Sequence, residues 1–337
     1  MVVSGALEIK EIGEFGLIDL LKQNTIHDAG RVVVGIGDDA AVLLPTSRQL
    51  QLLTTDMLVE GVHFDLRTTT PEQLGFKAVA VSLSDIAAMG GTPRHAVISV
   101  AATKNTPVEY IVNLYKGMKE ICHKFKVNIV GGDTVSSHHD MVINVAVIGE
   151  VEPTNLTRRS GAKPGDIIVV TGTLGNSGGG LDLLMHGNWE EYDFAWPLVT
   201  AHLTPDPQVI AGQKLAAMGI SSMNDISDGL ASEVNEIALA SNVGMRVYAQ
   251  NVPLTAELIE TAALFQKQPL DYALYGGEDY QLVFTIQPDK FELLSEQEIG
   301  IRLTRIGEVV TRSEGVVIVG VDGQTSKLEA KGYNHFR

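Results

Sequence analysis

Thr70-Pro-Glu-Gln-Leu-Gly-Phe-Lys-Ala-Val-Ala-Val-Ser-Leu-Ser-Asp85-Ile-Ala-Ala-Met-Gly90-Gly91 decides how the first half of the chain is read. Thr70 before Pro71 marks a helix start, because proline needs no amide partner in the first turn, and Gly90-Gly91 marks the stop. Apolar runs of strand character flank this helix, at residues 32–36 and 50–54 before it and 96–101 after it. A second helix over 107–125 and strands at 127–130 and 141–151 complete the pattern. Asp85 sits in the most apolar part of the quoted stretch. A buried carboxylate without a partner costs several kcal/mol or takes up a proton, so a cation or a donor must meet it.

Beyond residue 151 the apolar pattern lapses. Residues 152–165, with Pro153, Pro164, Arg158 and Arg159, read as a linker and place a domain boundary there, giving domains 1–152 and 153–337. The second half opens with a strand at 166–171 and a glycine-rich segment, Gly172-Thr-Leu-Gly-Asn-Ser-Gly-Gly-Gly180, leading into a helix. Helices near 207–218, 228–240 and 256–265 then alternate with strands near 245–249, 280–286, 302–309 and 316–319. Both halves are expected to be α+β (α/β mixed). No period of repeat or coiled-coil type is visible.

Composition narrows the function classes. The 337 residues are 45% hydrophobic, enough for a substantial core in two domains. With 25 Lys+Arg against 41 Asp+Glu the formal net charge is −16, which opposes binding to nucleic acid. The start of the chain lacks the basic-then-apolar pattern of a secretory leader, and no stretch reaches membrane-spanning length. A single cysteine, Cys122, fits a reducing compartment and reads as a small buried hydrophobe. A soluble cytoplasmic protein is expected.

Short acidic clusters recur where apolar runs break: Gly37-Asp38-Asp39, Thr54-Thr55-Asp56, Ser84-Asp85, Gly132-Asp133-Thr134, Asp225-Ile226-Ser227-Asp228 and Glu278-Asp279. Any one of them suits a turn or a helix cap. Together, beside small residues that admit a ligand, they suit a hard cation that takes oxygen ligands, Mg²⁺ above all, and hence metal-held phosphates. Asp56 and Asp133 are read as lying at the carboxyl ends of strands. The segment 172–180 offers backbone amides to a phosphate at a helix start, or else a tight structural turn; it matches neither a P-loop nor a dinucleotide fingerprint. Protein-kinase, nucleophile-elbow and zinc motifs are absent from the sequence. His63 is tied to the Asp56 strand, whereas His123, His138 and His139 read as solvated.

Gly13-Glu-Phe-Gly-Leu-Ile18, Gly35-Ile-Gly-Asp-Asp-Ala40, Thr54-Thr-Asp-Met-Leu-Val-Glu-Gly-Val-His-Phe64, Ser82-Leu-Ser-Asp-Ile-Ala-Ala-Met-Gly90, Gly131-Gly-Asp-Thr134, Asp225-Ile-Ser-Asp-Gly-Leu230, Gly276-Gly-Glu-Asp-Tyr280 and Lys331-Gly-Tyr-Asn-His-Phe336, taken in order, resemble the thiamine-monophosphate kinase family. Single motifs are shared with a wider superfamily of aminoimidazole ribonucleotide synthetase, selenophosphate synthetase and a hydrogenase maturation factor. The resemblance implies a two-domain aminoimidazole ribonucleotide synthetase-like fold, ATP-dependent phosphorylation of thiamine monophosphate, and a homodimer paired through N-terminal strands with the site between the two domains. Carried over by position, it makes Asp39, Thr54, Thr55, Asp56, Asp85, Asp133, Asp225 and Asp228 ligands of several Mg²⁺ ions. It makes Gly132, Asp133, Arg159 (or its neighbour Arg158) and Ser227 contacts of ATP, and His63, Glu278 and Tyr333 contacts of thiamine monophosphate. Asn334 stands where many relatives carry Asp. Two other readings stay open at this point: another ATP-using enzyme of the superfamily, and a non-catalytic Mg²⁺-dependent nucleotide sensor.

Overall fold

The structure, a computed structural model, describes residues 7–36, 41–294 and 296–332. It divides into two compact units, Met1–Ile86 with Thr92–Glu150, and Ala87–Gly91 with Val151–Arg337. The masses of helix and sheet in each are the mixed α+β pattern that the alternating periods imply.

The first unit holds α1 (Ile9–Leu21), a hairpin of β1 (Val32–Val34) and β2 (Val42–Leu43), then β3 (Leu50–Val59), α2 (Pro71–Ala88), β4 (Thr92–Thr103), α3 (Val108–Phe125), β5 (Asn128–Ser137) and β6 (Val142–Val151). Its main sheet has the order β3-β6-β4-β5, with β4 parallel to β5 and antiparallel to β6. Ile98 and Val100 pair with Val145 and Ile143, and all four are buried. α3 buries Ile111, Leu114, Met118, Ile121 and Cys122 at helical spacing. Burial also pushes the Cys122 thiol up to about 12, so it behaves as an inert apolar group. Where α2 crosses α3 the backbones touch. A Cβ on Gly75 would lie 1.8 Å from the Leu114 carbonyl oxygen, and one on Gly117 would lie 1.8 Å from that of Glu72. Only glycine admits that approach.

The second unit contains β7 (Ile167–Thr171), α4 (Asn176–His186), α5 (Ala195–Leu203), α6 (Val209–Ala217), β8 (Ser222–Asp225), α7 (Leu230–Ser241), β9 (Gly244–Tyr248), α8 (Ala256–Leu264), α9 (Pro269–Tyr275), β10 (Leu282–Ile286), β11 (Leu303–Val310), β12 (Val316–Val319) and β13 (Thr325–Lys327). Its sheet runs β13-β12-β9-β11-β7-β10-β8, antiparallel except for the β9/β12 pair. The central strands β7 and β10 are buried along their whole length, as their unbroken apolar runs require. Ile168, Val170 and Val283 pack against Leu230, Val234 and Ile237 of α7.

Two expectations change here. Asp56 and Asp133 lie inside the ten-residue strands β3 and β5, not at strand ends. Thr54-Thr55-Asp56 and Gly131-Gly132-Asp133 have turn-like composition, but ladder hydrogen bonds are made by backbone and carry the strands through them. Helices α1, α5 and α9 and strand β8 are also present beyond the elements read from periodicity. In α5 the proline is the third residue, within the first turn, where its missing amide breaks no bond.

Candidate active site

In the first unit β3 alternates between exposed and covered residues, so Thr54 and Asp56 share the covered side with Leu58 while Leu53, Thr55 and Met57 point the other way. Ser82 and Asp85 are one helical turn apart on α2 and meet that covered side. The Ser82 hydroxyl donates to the Asp56 carboxylate at 2.7 Å, and the Thr54 hydroxyl donates to the Asp85 carboxylate. Burial raises the Asp56 carboxyl above its ordinary range, and the Ser82 bond and the nearby His63 only partly oppose this. His63 is held by the turn after β3, where its Nδ1 accepts from the Val59 amide at 3.0 Å. Two carboxylates and a threonine hydroxyl gathered in a half-buried place offer oxygen atoms of the kind Mg²⁺ takes.

Thr55 and Asp133 occupy the opposite face. Asn144 Nδ2 donates to Thr55 Oγ1 at 3.0 Å and to the Asp56 carbonyl at 2.9 Å. The register then runs from Asn144 to Ser99 and from Ser99 to Asp133, which puts Asp133 three strands from Thr55, roughly 14 Å at ordinary strand spacing. Gly132 pairs with Ile98, and a Cβ there would sit 1.9 Å from the Ile98 carbonyl oxygen. Among the described residues no three His, Cys, Asp or Glu side chains by themselves form a metal-holding group. Asp39 and Tyr333 lie outside the described residues.

In the second unit three segments meet backbone to backbone. The Glu278 amide donates to the Ser227 carbonyl at 2.7 Å and the Tyr280 amide to that of Ile226 at 2.9 Å. A Cβ on Gly277 would be 2.7 Å from the Ser227 carbonyl oxygen, and one on Gly332 would be 2.0 Å from that of Asp228. Ser227, Asp228, Glu278 and the approach to the chain's tail are therefore brought together. Glu278 and Tyr280 have φ of 67° and 49°, a left-handed backbone that costs non-glycine residues about 1–2 kcal/mol each.

Asp225 ends β8 and is buried, beside a polar network that sequence reading missed. Arg159 Nε donates to Asn224 Oδ1 at 3.0 Å, and its Nη1 lies 3.1 Å from Glu236. Asn224 donates to Glu233 and, at 3.0 Å, to Glu236, while Glu233 accepts the Asp228 amide at 3.1 Å. Arg158 contributes its carbonyl to the Met223 amide instead. Burial, followed by repulsion from Asp225, Glu236 and Asp228, pushes Glu233 up to about 9. The available signal was the acid pair Glu233 and Glu236 at helical spacing just after the Asp225–Asp228 cluster.

The glycine-rich segment 172–180 is a tight turn over 172–175 that runs directly into the first residues of α4. The buried Asp279 accepts from the Gly175 amide at 2.6 Å and the Ser177 amide at 3.1 Å, so a carboxylate of the chain itself fills the start of α4 where a phosphate was a possible guest. Burial nevertheless raises Asp279 to about 7, with those amide bonds opposing it.

Residues 37–151 match the AIR synthase related protein, N-terminal domain, and 163–320 match the corresponding C-terminal domain. The chain is 38% identical to the thiamine-monophosphate kinase of Bacillus subtilis (strain 168) over 331 residues, covering 96% of this chain and 99% of that one. It is 39% identical to the thiamine-monophosphate kinase of Aquifex aeolicus (strain VF5), covering 98% of this chain and all of the relative. Among solved structures, AaThiL complexed with AMPPCP and TMP matches with a TM-score of 0.78 and 38% identity over 99% of this chain and 100% of that one. The thiamine-monophosphate kinase from Stenotrophomonas maltophilia K279a matches with a TM-score of 0.81 and 32% identity over 93% of this chain and 98% of that one.

Proposed function

The chain belongs to the thiamine-monophosphate kinase family, and from that premise we propose how its residues carry the family's reaction. It phosphorylates thiamine monophosphate from ATP, giving thiamine diphosphate and ADP. The observation that carries this reading is the end-to-end likeness to a relative complexed with AMPPCP and TMP. Incubation with Mg²⁺, ATP and thiamine monophosphate should yield ADP and thiamine diphosphate in equal amounts by chromatography. ATP turnover only with another acceptor, or nucleotide binding without turnover, would refute it.

A terminal phosphate oxygen of thiamine monophosphate attacks the γ-phosphorus, the bond to the β-phosphate oxygen breaks, and ADP leaves with the electron pair. The attacking oxygen is already anionic at neutral pH, so no side chain needs to remove a proton. Placement and charge compensation are what remain to be supplied. Asp39, Thr54, Thr55, Asp56, Asp85, Asp133, Asp225 and Asp228 would hold Mg²⁺. When bound, the metal supplies positive charge that offsets repulsion between the two phosphate anions. The anionic, half-buried arrangement of Asp56 and Asp85 supports that assignment.

Gly132, Asp133, Arg159 and Ser227 would contact ATP. The anchoring of Arg159 on Asn224, next to Asp225, favours it over Arg158. His63, Glu278 and Tyr333 would contact thiamine monophosphate, with the Glu278 carboxylate and the Tyr333 ring suited to the cationic thiazolium. On the first unit's sheet Leu53, Met57, Val97 and Val135 share the uncovered face and are 77%, 54%, 41% and 50% exposed, which supports a homodimer paired through these strands. The unpaired, buried Cys122 agrees with work in the cytoplasm. Among the described residues no helix is long and apolar enough to cross a membrane.

A further inference from the structure

The loop that presents Glu278 is anchored on both sides. Its backbone is tied to the Ile226–Ser227 carbonyls, and the next residue, Asp279, is locked into the start of α4. The side chain of Glu278 has its own support. His202 Nδ1, on α5, lies 3.4 Å from Glu278 Oε2 and 3.0 Å from Ser177 Oγ. Both Ser177 and His202 are buried, at 1% and 6% exposure, while the Glu278 side chain keeps 25% of its surface. An ionised carboxylate only accepts hydrogen bonds, so a proton on Nδ1 would be shared between the Ser177 oxygen at 3.0 Å and the Glu278 carboxylate at 3.4 Å, the nearer serine fixing the ring.

We propose that His202, oriented by Ser177, is a positioning residue that aims the Glu278 carboxylate at the cationic ring of the acceptor. This rests on the reading of the chain as a thiamine-monophosphate kinase and of Glu278 as its contact with the thiazolium. His202 touches no reacting atom. It removes freedom from a flexible acid that would otherwise lose several rotamers on binding.

The test is steady-state kinetics of wild type, His202→Phe and His202→Asn, with each substrate varied in turn. His202→Phe keeps the ring volume but has no donor. It should raise KM for thiamine monophosphate about 10-fold, as expected for losing a hydrogen bond to a charged group, with KM for ATP nearly unchanged. His202→Asn, whose amide places a donor near the Nδ1 position, should recover most of the loss. A wild type that turns over thiamine monophosphate with an unmoved KM in His202→Phe overturns the inference alone; a wild type without turnover overturns the parent reading and the inference with it. Nitrogen-15 spectra of the histidine rings need no folded variant. They should find the His202 proton on Nδ1, and a proton on Nε2 alone would also overturn the proposal.

Discussion

At Asp56 burial lifts the carboxyl above its ordinary value, so the folded chain binds that proton more tightly than the unfolded chain does. Its contribution to stability is thus fully present below the unfolded value, 3.8, and is lost as pH rises through the folded one. Asp56→Asn removes the penalty along with the charge. Without Mg²⁺ the variant should melt no lower than wild type at pH 7 by calorimetry, yet show almost no turnover and no Mg²⁺-dependent gain in melting temperature. Unaltered activity across a Mg²⁺ titration would remove Asp56 from the metal set. Glu233 has the same sign over a wider window, from its ordinary 4.5 up to about 9. Wild-type stability should therefore fall across that interval more steeply than in Glu233→Gln, as followed by urea midpoints at successive pH values. Asp56 was legible because it stands in an acidic cluster. Glu233 carried only the weaker mark of its spacing to Glu236, since an acid in the first turn of a helix is otherwise ordinary.

Elements show where local signals suffice. Thr70-Pro71 and Gly90-Gly91 bracket a helix observed at Pro71–Ala88, and the second expected helix is Val108–Phe125. Backbone preference at helix ends is local, so composition reveals it. The crossing of α2 and α3 is not local: Gly75 and Gly117 each press on a carbonyl of the other helix. Gly117→Ala should lower stability by about 3 kcal/mol, read as a shifted denaturant midpoint, because neither backbone can yield as a side chain could. An alanine there that melts like wild type would show that the helices can separate without loss. At α4 the cap is Asp279, distant in sequence from the amides it accepts. Asp279→Ala should cost about 1–2 kcal/mol, and Asp279→Asn, which still accepts, clearly less.

For the molecule as a whole, the uncovered face of the first unit's sheet makes assembly the property to test. Sedimentation should find a dimer for the wild type and a monomer for Leu53→Asp, whose charge would fall within an apolar strand-pairing surface. A dimer of unchanged strength would move the interface elsewhere. By itself the sequence determined the α+β class, the ordered series of motifs that marks the family, and the residue types that suit metal-held phosphate. These depend on local period and on the order of motifs along the chain, which one dimension preserves. Tertiary structure alone decided that Thr54 and Asp56 turn toward α2 while Thr55 and Asp133 turn away. It also decided that Asp279 rather than a phosphate fills the start of α4, and that Ser177 and His202, 25 residues apart, meet beside Glu278. The reason is physical: a side chain's direction and its partners follow from strand register and helix docking, and those are set by burial of the whole apolar surface together.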